Sequence, residues 1–111
     1  STGMIMYDPA TMSWNTDIPS IPGSLAPRSA VMAAYKGKVL VISGHGAEDE
    51  KHVFIYDPQD KTWSHGPSYP YPCSWTFGVE ANGNLYVPGG STMVRNRNSY
   101  VYWDQFKVLK Y

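Results

Sequence analysis

Short apolar runs, separated by turns rich in glycine, proline and asparagine, recur along this chain. Residues 39–42 and 85–87 are continuous apolar runs, as in central strands that are buried on both faces. Each run follows a predicted hairpin turn, at 36–38 or 82–84, where glycine and asparagine accept a positive φ. Residues 29–35 are mostly small or apolar, as in a crowded inner strand. The pattern therefore predicts short antiparallel strands joined by hairpins rather than helices.

The chain also repeats itself. Residues 7–9 (Tyr-Asp-Pro) are followed by Trp14, and residues 56–58 (again Tyr-Asp-Pro) are followed by Trp63, with an offset of 49 residues at each position. Proline fixes φ in the predicted turn, and aspartate caps it. Because packing must recur in every repeat whereas function rarely does, we interpret the repeated tyrosines and tryptophans as structural.

Two further alignments extend the repeat. Residues 37–44 align with 83–90 at an offset of 46, and each segment ends in a pair of small residues. A weaker copy places Asp104 on Asp57, at an offset of 47, and predicts 100–104 as the third strand of the last repeat. Offsets of this size fall in the range of propeller blades.

Composition supports strands and limits the possible partners. The chain has 111 residues, with 10 Gly, 9 Pro, 9 Tyr and 4 Trp, which favours short strands and turns over long helices. Nine basic residues balance nine acidic ones, so charge gives no reason to expect nucleic acid or a membrane as partner. The single cysteine, Cys73, excludes an internal disulfide and favours an intracellular, reducing compartment such as the cytoplasm.

The complete repeat resembles kelch repeats, in which four hydrophobic residues, a double glycine, a polar loop, Tyr-Asp-Pro and a tryptophan follow one another. Here this pattern is carried by residues 39–44, 56–58 and Trp63, with Ser43 in place of the first glycine. The last repeat departs further, since Ser74 stands where the middle repeat has Arg28 and the Asp-Pro turn is lost.

This resemblance implies an all-β fold, a kelch-type β-propeller segment of about two and a half four-stranded antiparallel blades. Residues 1–111 then divide into the outer half of a blade (4–15), a complete blade (28–64) and a degenerate blade (74–111). Because a propeller needs roughly four to eight blades, we expect the segment to be incomplete on its own. Further blades would come from the same longer chain or from other subunits.

The resemblance also implies a recognition face made of loops 44–52 and 89–98 and of the blade linkers 15–28 and 65–73. One loop carries acidic residues and the other carries arginines, so the two could bind a partner that bears both charges. The linker 65–73 adds tyrosines, which provide contact area at low entropic cost. The alternatives are that the charges pair with each other or face solvent, and that the rings pack between blades. The candidate binding residues are Arg28, His45, Glu48, Asp49, Tyr69, Tyr71, Arg95 and Arg97.

The expected function is protein or peptide binding without catalysis, and the resemblance to kelch repeats implies a role such as substrate receptor of a ubiquitin ligase or cytoskeletal adaptor. We expect no cofactor and no metal, because the spacings between His45, His52 and His65 match no compact ligand pattern. Cys73 has no identifiable base to activate it. Two alternatives remain open, namely the scaffold of a galactose-oxidase-like enzyme and a structural segment that completes a ring by association.

Overall fold

The computed structural model describes residues 4–22, 29–44, 51–94, 99–102 and 106–109. Within these ranges the chain consists of eleven β-strands with their turns and connections, and no helix. All strand pairs are antiparallel, and they form sheets of two to four strands that do not close into a ring. The prediction of an all-β, incomplete propeller is thereby confirmed.

The first sheet is a hairpin of β1 (Met6–Asp8) and β2 (Ser13–Asn15), here called blade one. Its register sets Tyr7 opposite Trp14, with the ring centroids 5.0 Å apart. The Asp8 carboxylate accepts a hydrogen bond from the backbone N–H of Ala10 at 2.9 Å and so holds the turn. The hairpin lies where the sequence predicts the outer half of a blade.

Blade two is a four-stranded meander in which each strand pairs with the next one along the chain. At one end, Lys36 and Gly37 both adopt positive φ (50° and 75°), as tight two-residue hairpins require. At the last turn of the blade, the Asp57 carboxylate accepts a hydrogen bond from the Gln59 N–H at 2.9 Å. The turn chemistry in the sequence therefore fixes where these strands end. The strands are β3 (Val31–Tyr35), β4 (Lys38–Ile42), β5 (Val53–Asp57) and β6 (Thr62–His65).

Blade three differs from the expected repeat. Its sheet has the order β11-β8-β7, while β9 and β10 form a separate hairpin. The expectations that 89–98 is a loop and that 100–104 supplies the third strand of this blade are therefore wrong. A hairpin closed by only four residues, 95–98, costs less loop entropy than pairing β10 with the more distant β8. The strands are β7 (Val79–Ala81), β8 (Asn84–Pro88), β9 (Ser91–Val94), β10 (Ser99–Tyr102) and β11 (Phe106–Leu109).

The core lies where blades two and three face each other. Tyr35 donates a hydrogen bond from its hydroxyl to the Gly83 carbonyl at 2.5 Å, which joins the two blades at the hairpin end. At Gly78 the inner strands come so close that an added Cβ would lie 2.6 Å from the Cβ of Ala33. The buried cluster consists of Val31, Ala33, Tyr35, Leu40, Ile42, Val53, Tyr69, Cys73, Leu85 and Val87.

Candidate functional site

Three chain segments meet at the end of the blades opposite the Lys36–Gly37 hairpin. The linker residue Cys73 donates its backbone N–H to the Ser43 Oγ at 2.6 Å and accepts a hydrogen bond from the Gly44 N–H at 2.6 Å. On the other side, Ser74 and Ser91 exchange two backbone hydrogen bonds, at 2.7 and 3.0 Å. The linker is thus bonded to blade two and to the chain that leaves blade three. We call this end, formed by residues 43–44, 51–52, 66–75 and 88–91, the loop face.

Further backbone bonds hold the far end of the loop 44–52. The Ser43 N–H donates to the His52 carbonyl at 2.7 Å, and the Tyr69 N–H donates to the Lys51 carbonyl at 2.9 Å. Both ends of this loop are therefore anchored, one to its own blade and the other to the linker that follows it. Binding loops are commonly carried between such anchored ends on a rigid scaffold.

Ser43 has a role that the sequence did not reveal. It is buried and its φ is 57°, in the left-handed region that favours glycine. A side chain is tolerated here because its hydroxyl oxygen accepts the Cys73 N–H, which would otherwise be buried without an acceptor. The signal available in the sequence was the replacement of a glycine by a residue with a short hydroxyl side chain.

Gly90 closes the other side of the loop face. Its φ is +97°, and an added Cβ would overlap the Cys73 Sγ and lie 3.0 Å from the Ser74 carbonyl oxygen. The repeat predicts glycine here for close packing of backbones, and the geometry requires it. The linker passes directly over this residue.

Cys73 is a packing residue. Its thiol is buried and donates a weak hydrogen bond to the Gly89 carbonyl, with Sγ and O 3.4 Å apart. Burial raises the pKa of the thiol to about 11, against a smaller lowering by hydrogen bonds from the Ser74 and Ser91 backbone. The thiol is thus neutral near pH 7 and is a poor nucleophile.

The linker tyrosines pack inward. Tyr69 is 1% exposed and belongs to the core, and its ring meets that of Tyr71 edge to face, with centroids 5.2 Å apart. Tyr69, which the sequence analysis names as a candidate for partner contact, is thus buried in this conformation. The cause is the turn of the linker into the gap between blades two and three, where an aromatic ring fills the space. Tyr71 is half-buried and keeps an accessible edge.

The remaining candidate binding residues lie outside the described ranges. These are Arg28, His45, Glu48, Asp49, Arg95 and Arg97. The chain enters the acidic loop at Gly44 and leaves it at Lys51, while β9 and β10 flank the arginine-containing segment 95–98. The strand end at Gly44, which begins the acidic loop, is bonded to the linker at Cys73, whereas the linker bonds the β9–β10 hairpin at Ser91, the end remote from 95–98.

His52 and His65 form an aromatic cluster with Phe54. His52 stacks on Phe54 with centroids 4.8 Å apart, and His65 lies 5.1 Å from the same ring and 5.6 Å from His52. Among the residues that the structure describes, no group of three or more His, Cys, Asp or Glu side chains could hold a metal ion. The same residues include no helix that is long and apolar enough to span a membrane.

Antiparallel meanders that pack face to face, with linkers and loops bonded together at one end, define a β-propeller architecture of the kelch type. A family model described as the Kelch motif matches residues 26–68, which span blade two and the start of the linker after it. An F-box/kelch-repeat protein of Arabidopsis thaliana is 31% identical over 103 residues. The chain belongs to the kelch-repeat family.

The match to the plant protein covers 89% of this chain and 26% of the relative, so the chain spans about a quarter of that protein's length. The Kelch motif and the F-box/kelch relative together suggest a protein-interaction module rather than an enzyme.

Proposed function

We propose that this chain binds a protein or peptide partner through the loop face. One observation carries the proposal: the linker at Cys73 and Ser74 bonds simultaneously to the strand end at Ser43–Gly44 and to Ser91. The acidic loop therefore starts from a rigid base, and the hairpin that carries the arginines at its tip is joined to the same base through Ser91. Rigid bases reduce the conformational entropy that loops lose on binding.

The charges of the two loops define the kind of partner. Glu48 and Asp49 belong to the first loop, and Arg95 and Arg97 belong to the second. A partner that presents basic and acidic groups side by side would match both, and arginine is enriched among residues that dominate binding energy. His45, Tyr71 and Arg28 would contribute at the edges of this surface.

The relative, by its name, combines an F-box with kelch repeats. This supports a role for the present chain in presenting substrates to a ubiquitin ligase, or as another kind of intracellular adaptor. In this role the propeller binds and positions a protein and catalyses nothing itself. No cofactor enters the proposed function.

The experiment is a comparison of two double variants of equal charge loss. Arg95→Ala with Arg97→Ala removes two positive charges from the second loop, and Lys36→Ala with Lys38→Ala removes two from the hairpin at the opposite end of blade two. Proteins captured from cell extract by the wild-type chain should be lost from the arginine variant and retained by the lysine variant. Capture of the same proteins by both variants, with unchanged circular dichroism, would refute binding through the second loop.

A further inference from the structure

Two histidine rings lie side by side on blade two, although His52 and His65 are far apart in the sequence. The hairpin of β5 and β6 brings them together, because its register sets His65 opposite Phe54 and His52 lies two residues before Phe54. Side chains two residues apart in an extended chain share a face. The ring centroids of the two histidines are 5.6 Å apart. The fold thus creates a pair that no short spacing in the sequence marks.

The backbone beside each histidine is fixed by hydrogen bonds. The His52 carbonyl accepts the Ser43 N–H at 2.7 Å, and Gly66, which follows the second histidine, donates its N–H to the Val53 carbonyl at 2.9 Å. Phe54 is 4% exposed and packs against both imidazoles, with centroid distances of 4.8 and 5.1 Å. The two rings are therefore held close together without any ligand, which reduces the entropy lost when a ligand binds.

The separation of the rings fits two ligands of one metal ion. With Zn–N bonds of about 2.0–2.1 Å and a tetrahedral angle between them, the centroids of two ligating imidazoles are roughly 5 Å apart. The observed 5.6 Å requires only a modest opening of that angle or a small rotation of one ring. A ligating imidazole uses one nitrogen and keeps the other for a hydrogen bond. Zn²⁺ and Cu²⁺ are among the ions that imidazole ligands suit.

We propose that His52 and His65 bind one divalent transition-metal ion of the Zn²⁺ type, through one ring nitrogen each. The structure describes no group of three or more His, Cys, Asp or Glu side chains here, so water completes the coordination. His65 is exposed and His52 is half-buried, which leaves the pair accessible. The geometry is set within a single blade. The site needs no protein partner, so it goes beyond the proposed function and can fail independently of it.

The test uses the full 111-residue chain without an affinity tag and Zn²⁺ as the probe. Isothermal titration calorimetry near pH 7.5, where most unperturbed imidazole is neutral, should show one ion bound per chain. In NMR spectra of the imidazole groups, two of the three histidines should respond to Zn²⁺. Mg²⁺ is the control ion and should give no binding heat at the same concentration, because it prefers oxygen ligands.

Two matched variants remove one ligand each and keep a ring in the cluster. His52→Phe and His65→Phe should each weaken Zn²⁺ binding at least about tenfold, because the second ligand no longer acts at a high effective concentration. The double variant should bind about as weakly as either single variant, since loss of one ligand already ends chelation. Added Zn²⁺ should raise the Tm of the wild type more than that of the variants. Circular dichroism checks that all variants are folded.

Four results would overturn the proposal. The first is the absence of binding heat at millimolar Zn²⁺. The second is wild-type affinity in either single variant, which would place the ion on other residues. The third is equal binding of Mg²⁺. The fourth is one ion per two chains with a doubled mass in light scattering, which would assign the ion to a contact between two copies.

Discussion

Ser43 provides the sharpest test of how the loop face is held together. Its φ of 57° places a non-glycine residue in the left-handed region, and its Oγ accepts the Cys73 N–H at 2.6 Å in a buried environment. One side chain therefore carries a backbone cost and an offsetting hydrogen bond. Substitution by alanine and by glycine separates these two contributions. Alanine removes only the hydrogen bond, whereas glycine removes the hydrogen bond and also the cost of the left-handed backbone.

The magnitudes follow from these two terms. Ser43→Ala leaves the Cys73 N–H buried without an acceptor and should lower the free energy of unfolding by about 1–3 kcal/mol. Ser43→Gly loses the same bond and also relieves a left-handed cost of about 1–2 kcal/mol. Glycine also lowers the free energy of unfolding by about 0.5–1 kcal/mol, because the unfolded chain has more conformational freedom. The glycine variant should therefore be more stable than the alanine variant by up to about 1.5 kcal/mol.

Urea unfolding monitored by tryptophan fluorescence measures this difference, provided that all three proteins show the same dependence on denaturant. Amide hydrogen exchange at Cys73 is the local readout, since the loss of its acceptor should accelerate exchange in both variants. The reasoning is refuted if Ser43→Ala is as stable as the wild type. It is also refuted if the glycine variant is clearly less stable than the alanine variant.

Three further changes test neighbouring features. Gly83 has positive φ but open space around it, so Gly83→Ala should lower the free energy of unfolding by about 1–2 kcal/mol. Gly90→Ala should lower it by about 1–3 kcal/mol more, because the added Cβ overlaps the Cys73 Sγ. Equal urea midpoints for the two variants would contradict this. The raised pKa of Cys73 stabilises the fold below pH 9.0, and this contribution should be lost as pH rises towards 11; Cys73→Ala should flatten that part of the stability profile. Trp63→Phe removes the bond to the Pro19 carbonyl and should cost about 0.5–1.5 kcal/mol and speed proteolysis of the linker that contains Pro19; an unchanged cleavage rate would argue against that contact.

The strands of blade two were predictable because their determinants are local. A glycine turn at Lys36–Gly37 and a capped Asp-Pro turn at Asp57 fix the hairpins, and the apolar runs between them fix the register. Each strand pairs with its neighbour in sequence, so no long-range choice is needed. The same reasoning fails at β10, where residues that resemble a third strand pair with the adjacent β9 instead.

The candidate site was less predictable, because exposure depends on how blades pack. The sequence of the linker permits its tyrosines to face a partner or the core, and only the gap between blades two and three decides that Tyr69 is buried. The bond from Cys73 to Ser43 joins residues thirty positions apart, and no motif marks it. The sequence predicted two charged loops on one face, but it could not show that the linker bonds to Ser43, Gly44 and Ser91.

The described parts of the two linkers, residues 15–22 and 66–75, stabilise the fold in different ways. This difference limits which segments could move when a partner binds. Residues 15–22 lie over the Tyr56–Trp63 pair from outside, whereas the linker after blade two inserts Tyr69 into the core and bonds through Cys73 to the loop face. The sequence of blade three has no clear equivalent of Trp63 over which an incoming linker could pack. The linker between blades two and three therefore turns inward instead. A linker fixed by the core cannot rearrange around a partner without exposing buried aromatic surface. In the proposed function, a rearrangement that accommodates a partner would therefore have to occur outside this linker.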